Sequence, residues 1–259
     1  MGPDLSLVAA FVFGAIVGSF LNVCIRRLPG GESVVYPGSH CPRCGATIRT
    51  WDNIPLLSYL LLRGRCRICR DPIAIRYPLV EALTGAMFAL LWYHFGPTAA
   101  FGAYAAFVAA LIVVSFIDWD HQIIPDVVSL PGIVLGVVCS AFGAATGPLD
   151  SIIGVVLGGG ILWAVAAGYH AWTGRDGMGG GDIKLLAMIG AFLGWRGVLV
   201  TLIIGSLTGA LIGIALIAVR GGDTRVPIPF GPFLALGALC ALFYGNALIY
   251  WYLHFALPA

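Results

Sequence analysis

Apolar runs about as long as a membrane is thick recur through most of this sequence. Crossing ~30 Å of hydrocarbon takes roughly 20 apolar residues in a helix, and a helix satisfies its backbone polar groups within a single segment there. Only 10% of the residues are charged and 59% are hydrophobic, a composition outside that of soluble domains. The sequence therefore predicts an all-α polytopic membrane protein with about eight transmembrane helices. The runs are 5–25, 79–95, 98–117, 127–146, 152–172, 197–219, 230–255 and a shorter one at 183–195.

Basic residues predict how these helices are oriented. Cytoplasmic loops are enriched in Lys and Arg, and most of the 14 basic residues lie between Arg26 and Arg76. We therefore expect this segment in the cytoplasm and the N-terminus outside. The loops at 118–126, 175–182 and 220–225 then lie on the cytoplasmic side as well. No basic segment precedes the first apolar run, so we expect a retained helix rather than a cleaved signal peptide.

Composition shifts along the chain divide it into three parts. Residues 1–25 form the first transmembrane helix, residues 26–77 a cytoplasmic loop module, and residues 78–259 a membrane-embedded domain. Nothing in any part resembles the basic stripe of a nucleic-acid-binding protein, so we expect no nucleic-acid partner.

Four cysteines of the cytoplasmic loop are spaced as two CxxC pairs, Cys41 with Cys44 and Cys66 with Cys69. Each pair can direct two thiolates at one ion from a tight turn, and four sulfurs complete the closed shell of a structural zinc site. Two disulfides are the alternative, which a reducing cytoplasm disfavours. The loop therefore predicts a small zinc-ribbon-like module. Its arginines would offset the thiolate charge and meet anionic lipid headgroups.

Two aspartates stand at the ends of apolar runs on the same predicted face of the membrane. Asp118 directly follows LIVVSFI, and Asp182 stands in GMGGGDIKLL, just before another apolar run. An aspartate at a helix centre in a membrane costs ~3 kcal/mol, so such residues are functional candidates. Two spans separate the aspartates in the sequence, so we expect them to face each other.

Simpler interpretations exist for the neighbouring polar residues. Asp182 after Gly179 and Gly181 is also the pattern of an ordinary helix N-cap, and Asp126 after Pro125 is a normal helix start. On a continuing helix, Asp120 points to a different face from Asp118. A lone histidine such as His121 in a polar loop is more often neither base nor ligand.

We group five residues with the aspartate pair as supporting residues of one site. They are Gly179, Gly181, Lys184, Asp120 and Asp126.

Paired carboxylates in a partly desolvated site carry a specific chemistry. Both cannot ionise easily, so they share a proton. The ionised one can then take a proton from water while the protonated one polarises a peptide carbonyl, as in aspartic proteases. The sequence holds neither GxSxG nor HExxH, so no competing nucleophile or catalytic zinc motif is present.

Together these motifs resemble the prepilin peptidase family, whose members are GxGD aspartic membrane proteases. The resemblance covers most of the chain, and the order and spacing of its pieces are specific. In that family the catalytic aspartates are those of the ID step and of the GxGD motif, which correspond here to Asp118 and Asp182. The pieces are GSFLNVCIRRLP, DNIPLLSYLLLRGRC, RYPLVEALTG, IDWDHQIIPD and GGGDIKLLAMIGAFLGW.

The resemblance implies hydrolysis after a glycine in the short basic leader of type IV prepilins or type II secretion pseudopilins. Cleavage would take place on the cytoplasmic side of the substrate's hydrophobic helix, at the bacterial inner membrane. Residues 78–259 would then be the aspartic peptidase domain. The resemblance also implies N-methylation of the new N-terminus with S-adenosylmethionine, although the sequence holds no motif for that cofactor. Homo-oligomer formation is left open.

Two other classes of function remain as alternatives. An ion-coupled transporter would use the paired aspartates as proton or cation carriers, with carboxylates near the membrane midplane. A structural scaffold of a pilus or secretion machine would use the cysteine module to recruit a partner. The scaffold leaves the burial of the two aspartates unexplained.

Overall fold

Helices form the regular secondary structure of residues 3–175, 177–219 and 228–256, which the computed structural model describes. Within these ranges there is no β-strand, only two isolated bridges in the cysteine loop. The all-α prediction is confirmed. The helices are α1 Pro3–Arg27, α2 Leu57–Leu61, α3 Arg76–Phe95, α4 Ala99–His121, α5 Asp126–Ala141, α6 Pro148–Thr173, α7 Gly180–Val219 and α8 Gly231–Ala256.

Five helices of the described ranges, α1, α4, α6, α7 and α8, are long and apolar enough to cross a membrane. The expected count of about eight transmembrane helices is larger than this. Run 79–95 is helical within α3 but is not one of the five. Run 127–146 gives only the short helix α5, because the chain leaves the helix at Ala141 and Gly143 takes a left-handed φ of 71°.

The predicted runs 183–195 and 197–219 are joined in α7 across a kink at Gly194. This residue has φ 70° and ψ −179°, and glycine reaches a left-handed φ without a steric penalty. Such a break removes backbone partners from the preceding helical turn. The carbonyl of Ala191 there accepts hydrogen bonds from the hydroxyls of Ser140 at 3.1 Å and Ser151 at 2.7 Å. Serines of α5 and α6 thus support the kink.

Contacts within the chain define two compact units, and the first is Met1–Val113. Here α1 packs on α3 at close range, since a Cβ built on Gly14 would lie 2.7 Å from the carbonyl oxygen of Thr84. The cysteine loop is attached to α3 by the amide of Leu56, which donates to the buried Glu81 carboxylate at 2.8 Å. A buried carboxylate needs such a donor.

The second unit, Val114–Ala259, is organised around α7, which contacts α5, α6 and α8. Glycines let these helices approach each other closely: a Cβ on Gly190 would lie 2.1 Å from the carbonyl oxygen of Gly154, and one on Gly237 would lie 2.5 Å from that of Thr201. Small residues at the crossings are the usual basis of helix packing in membranes, where lipid competes for apolar contacts. The last turn of α4 and the start of α7 both lie in this unit, so both predicted aspartates belong to it.

We expect Gly154→Ala to destabilise the protein, because the added methyl group forces α6 and α7 apart at the Gly190 crossing. Overpacking of this kind costs about 1–3 kcal/mol. The apparent melting temperature in detergent should fall by several degrees. Gly160→Ala on the same helix is the matched control, since a Cβ there meets nothing within 4 Å. Equal melting temperatures for the two variants would contradict this account of the crossing.

Candidate functional site

Asp118 lies in the last turn of α4 and is only 5% exposed. Its carboxylate atom Oδ2 accepts a hydrogen bond of 2.8 Å from the backbone amide of Gly231, the first residue of α8. A buried charged group is tolerated when hydrogen bonds replace the lost water. Asp118 is therefore held in place by a fixed backbone donor.

The chain turns sharply after α4. Gln122 takes a left-handed φ of 55°, and its amide donates to the carbonyl of Asp118 at 2.9 Å. Since the helix continues through His121, Asp118 points inward while Asp120 and His121 are exposed. The expectation that Asp118 and Asp120 lie on different faces is confirmed.

Asp182 lies in the first turn of α7 and is half-buried. Its amide donates to the carbonyl of Gly179 at 3.3 Å, as in the opening turn of a helix. The start of α7 adjoins the turn that follows α4, because Gly181 lies against Ile124 there. The two aspartates therefore lie at neighbouring helix ends, and that they face each other as a catalytic pair stays a prediction.

Of the two predicted glycines, Gly181 is the one in a tight contact. A Cβ built on it would lie 2.8 Å from the Cβ of Ile124, in the turn between α4 and α5. A side chain at this position would push α7 away from the segment that follows Asp118. Gly179 has no such neighbour, because the nearest atom to its Cβ position is the Gly181 nitrogen at 4.0 Å.

Lys184 and Asp126 form an ion pair between the first turns of α7 and α5. The Lys184 ammonium donates to both carboxylate oxygens of Asp126, at 2.7 and 2.8 Å. Both side chains are partly exposed, so the pair adds little stability. It connects the starts of α7 and α5, and the position of Asp126 in the first turn of α5 agrees with its interpretation as a helix start.

Sequence reasoning missed Gly231 altogether. The segment Phe230–Gly231–Pro232 opens α8 after a proline-rich stretch, and a glycine beside a proline at a helix start is a signal of close backbone approach. The contact itself joins residues that are far apart in the sequence, so periodicity and spacing could not reveal it.

The four cysteines of the loop form a second site. Their sulfur atoms all lie within 4.8 Å of one another, and the Cys41 and Cys69 sulfurs are 3.8 Å apart. Zinc–sulfur bonds of ~2.3 Å in a tetrahedron place sulfurs about 3.8 Å apart. The cluster therefore fits a tetrahedral metal ion.

The two CxxC turns have matching backbone hydrogen bonds. The carbonyl of Cys41 accepts from the amide of Gly45 at 2.9 Å, and that of Cys66 accepts from the amide of Arg70 at 3.1 Å. Amides of Cys44 and Arg43 point at the Cys41 sulfur and lower the pKa of this thiol to about 6. Amides directed at sulfur stabilise the thiolate, which is the form that binds metals.

Ion pairs brace the module around the cysteines. Arg43 of the first turn pairs with Asp71 beyond the second. Arg67 donates to Asp52 from Nε at 2.8 Å, and this hydrogen bond holds the pKa of the Asp52 carboxyl below its usual range. These arginines therefore have acidic partners in addition to the thiolates that the sequence assigned to them.

Comparison with known proteins places this architecture in a class of helical membrane peptidases. The model of the bacterial peptidase A24 N-terminal domain matches residues 12–95, and that of the type IV leader peptidase family matches residues 105–214. The chain belongs to the type IV leader peptidase family and is a bacterial membrane protein. The resemblance drawn from the motifs is confirmed.

Three relatives named prepilin leader peptidase/N-methyltransferase match over nearly the whole chain. The protein from Pseudomonas aeruginosa is 40% identical, covering 98% of this chain and 96% of its own length. The one from Aeromonas hydrophila is 39% identical, with coverage of 97% and 95%. The one from Burkholderia pseudomallei is 38% identical, with coverage of 93% and 86%. No solved structure matches the chain at a significant level.

Purified protein should contain about one metal ion per chain, because four convergent thiolates form one closed shell. The variant with Cys41→Ser and Cys66→Ser should contain none, as measured by elemental analysis. Cys240→Ser, a change outside the cluster, is the control and should keep the ion. A metal-free native protein, or a metal-loaded double variant, would contradict the assignment.

Proposed function

We propose that Asp118 and Asp182 are the catalytic pair of an aspartic endopeptidase that removes the short leader of type IV prepilins or type II secretion pseudopilins. The observation that supports the proposal is the placement of two aspartates, one deeply buried, at neighbouring helix ends in a chain of the type IV leader peptidase family. In a desolvated site such a pair shares one proton.

The chemistry follows from that shared proton. The ionised aspartate accepts a proton from a water molecule while the water oxygen bonds to the scissile carbonyl carbon. The protonated aspartate gives its proton to the carbonyl oxygen. The resulting diol collapses, the carbon–nitrogen bond breaks, and the leaving amine takes a proton from the pair. Peptide and water are converted to acid and amine without a covalent enzyme intermediate.

The membrane arrangement that we propose gives the substrate access to this site. With the N-terminus outside and the loop 26–77 in the cytoplasm, the end of α4 and the start of α7 face the cytoplasm at the inner membrane. The leader would then reach the aspartates while the hydrophobic helix of the pilin stays in the bilayer. The two parts of α7 on either side of Gly194, with α3 and α5, would complete eight spans.

We assign zinc to the cysteine cluster as its structural ion. An all-thiolate tetrahedral set favours zinc among the common metals, and four protein ligands leave no position for a catalytic water. Cys41, Cys44, Cys66 and Cys69 would hold the ion, which would supply folding energy to the loop. The exposed Arg65 and Arg70 beside it would meet anionic lipid headgroups.

N-methylation of the new N-terminus is the second activity that we propose, with S-adenosylmethionine as the methyl donor. The relatives whose names include N-methyltransferase match over nearly the whole chain, so the matched region includes the cysteine module. The amine released by cleavage is the nucleophile that takes the methyl group, so cleavage supplies the substrate of methylation.

Asp118→Asn and Asp182→Asn should each abolish leader cleavage while the protein still inserts and folds, because an amide can neither accept nor donate the shared proton. Cleavage of a model prepilin by detergent-purified protein is the measurement. Asp150→Asn is the control: its side chain accepts a hydrogen bond from Trp195 Nε1 at 3.1 Å, which an amide oxygen can also accept. Cleavage by the variant that carries both changes would refute the assignment.

Methyl transfer should depend on a free amine and not on the aspartate pair. With S-adenosylmethionine present, mass spectrometry should show one methyl group on the cleaved pilin and none on the uncleaved prepilin. The Asp118→Asn variant should still methylate a pilin supplied without its leader. Absence of methylation by the native protein would remove the second activity and leave the peptidase assignment intact.

A further inference from the structure

The first turn of α8 offers one backbone donor to its surroundings. Pro232 has no N–H, and the amides of Phe233 and Leu234 both donate to the carbonyl of Phe230 at 3.1 Å. The Gly231 amide remains, and it donates to Oδ2 of Asp118 at 2.8 Å. The sequence Phe–Gly–Pro thus directs a single amide at the buried carboxylate.

The contact is too close for any residue other than glycine. A Cβ built on Gly231 would lie 2.7 Å from Oδ2, 3.2 Å from Cγ and 3.3 Å from Cβ of Asp118. Heavy-atom contacts under 3.0 Å at a Cβ force one partner to move. A side chain at position 231 would therefore displace the Asp118 carboxylate or shift the start of α8.

The Gly231 amide also gives the two aspartates different electrostatic environments. Amides at a helix N-terminus carry partial positive charge, and a hydrogen bond from an amide to a carboxylate favours the ionised form. Burial acts on both aspartates, and the charge of Asp118 acts in addition on Asp182. Since the two carboxylates share one proton, the Gly231 amide directs that proton away from Asp118.

We propose that Gly231 is a positioning residue that holds Asp118 ionised as the proton acceptor for water, leaving Asp182 to protonate the substrate carbonyl. This inference rests on the proposed function of the aspartate pair. Oδ2 of Asp118 is engaged by the Gly231 amide, so Oδ1 receives the proton from water. Asp182 gives its proton to the carbonyl oxygen in the same step, which keeps the proton count balanced.

Steady-state cleavage of a model prepilin tests the positioning role. In Gly231→Ala, kcat should fall about 100-fold, the loss typical of a displacement of about 1 Å at a reacting group, while KM stays unchanged. Gly245→Ala on the same helix is the matched control, since a Cβ there meets nothing within 4 Å. A folded Gly231→Ala enzyme with kcat within twofold of the native value, or a rise in KM alone, would overturn the proposal.

A thermal double-mutant cycle tests the contact without using activity. Gly231→Ala should lower the melting temperature more in the native background than in Asp118→Ala, where the contacts with the carboxylate are gone. If Gly231→Ala alone does not fold, the double variant should recover the fold. An equal loss of stability in both backgrounds would overturn the inference. Cleavage by Asp118→Asn would instead refute the proposed function, and the double-mutant cycle would still measure the contact between Gly231 and Asp118.

Discussion

A carboxylate buried at the end of a membrane helix needs a hydrogen-bond donor, and the second unit of this protein is arranged to supply one. Asp118 is almost fully enclosed, and the amide at the start of α8 meets it. This hydrogen bond replaces part of the hydration that the carboxylate loses on burial. The start of α8 is thus joined directly to one catalytic candidate.

Glycine makes that arrangement possible. In a membrane there is no hydrophobic driving force between helices, so they associate through close packing, which small residues allow. The crossing of α6 and α7 at Gly154 and Gly190 and the contact of Gly231 with Asp118 use the same device, a missing side chain at a point of closest approach. The kink at Gly194 adds a third use, a backbone conformation. One residue type therefore serves helix packing, helix bending and the geometry of the aspartate site.

The cysteine module is stabilised in a different way from the helical units. Many of its large apolar side chains, such as Trp51, Leu60, Leu61 and Ile68, are exposed rather than packed in a hydrophobic core. Two matching turns, ion pairs such as that of Arg67 with Asp52, and a convergent set of thiolates replace the core. A metal ion gives folding energy to such a module directly. The Leu56 amide on Glu81 then attaches the module to α3.

The sequence by itself determined the helical membrane class, the cluster of four cysteines and the position of two aspartates at helix ends, because apolar length, CxxC spacing and charge at helix ends are local properties. It overestimated the number of clear spans, since the end of α5 depends on a left-handed turn at Gly143. The pairing of Lys184 with Asp126 and the amide of Gly231 on Asp118 were decided only by the tertiary structure. Both join residues on separate helices, and the helix packing that brings them within hydrogen-bond distance leaves no periodic trace in the chain.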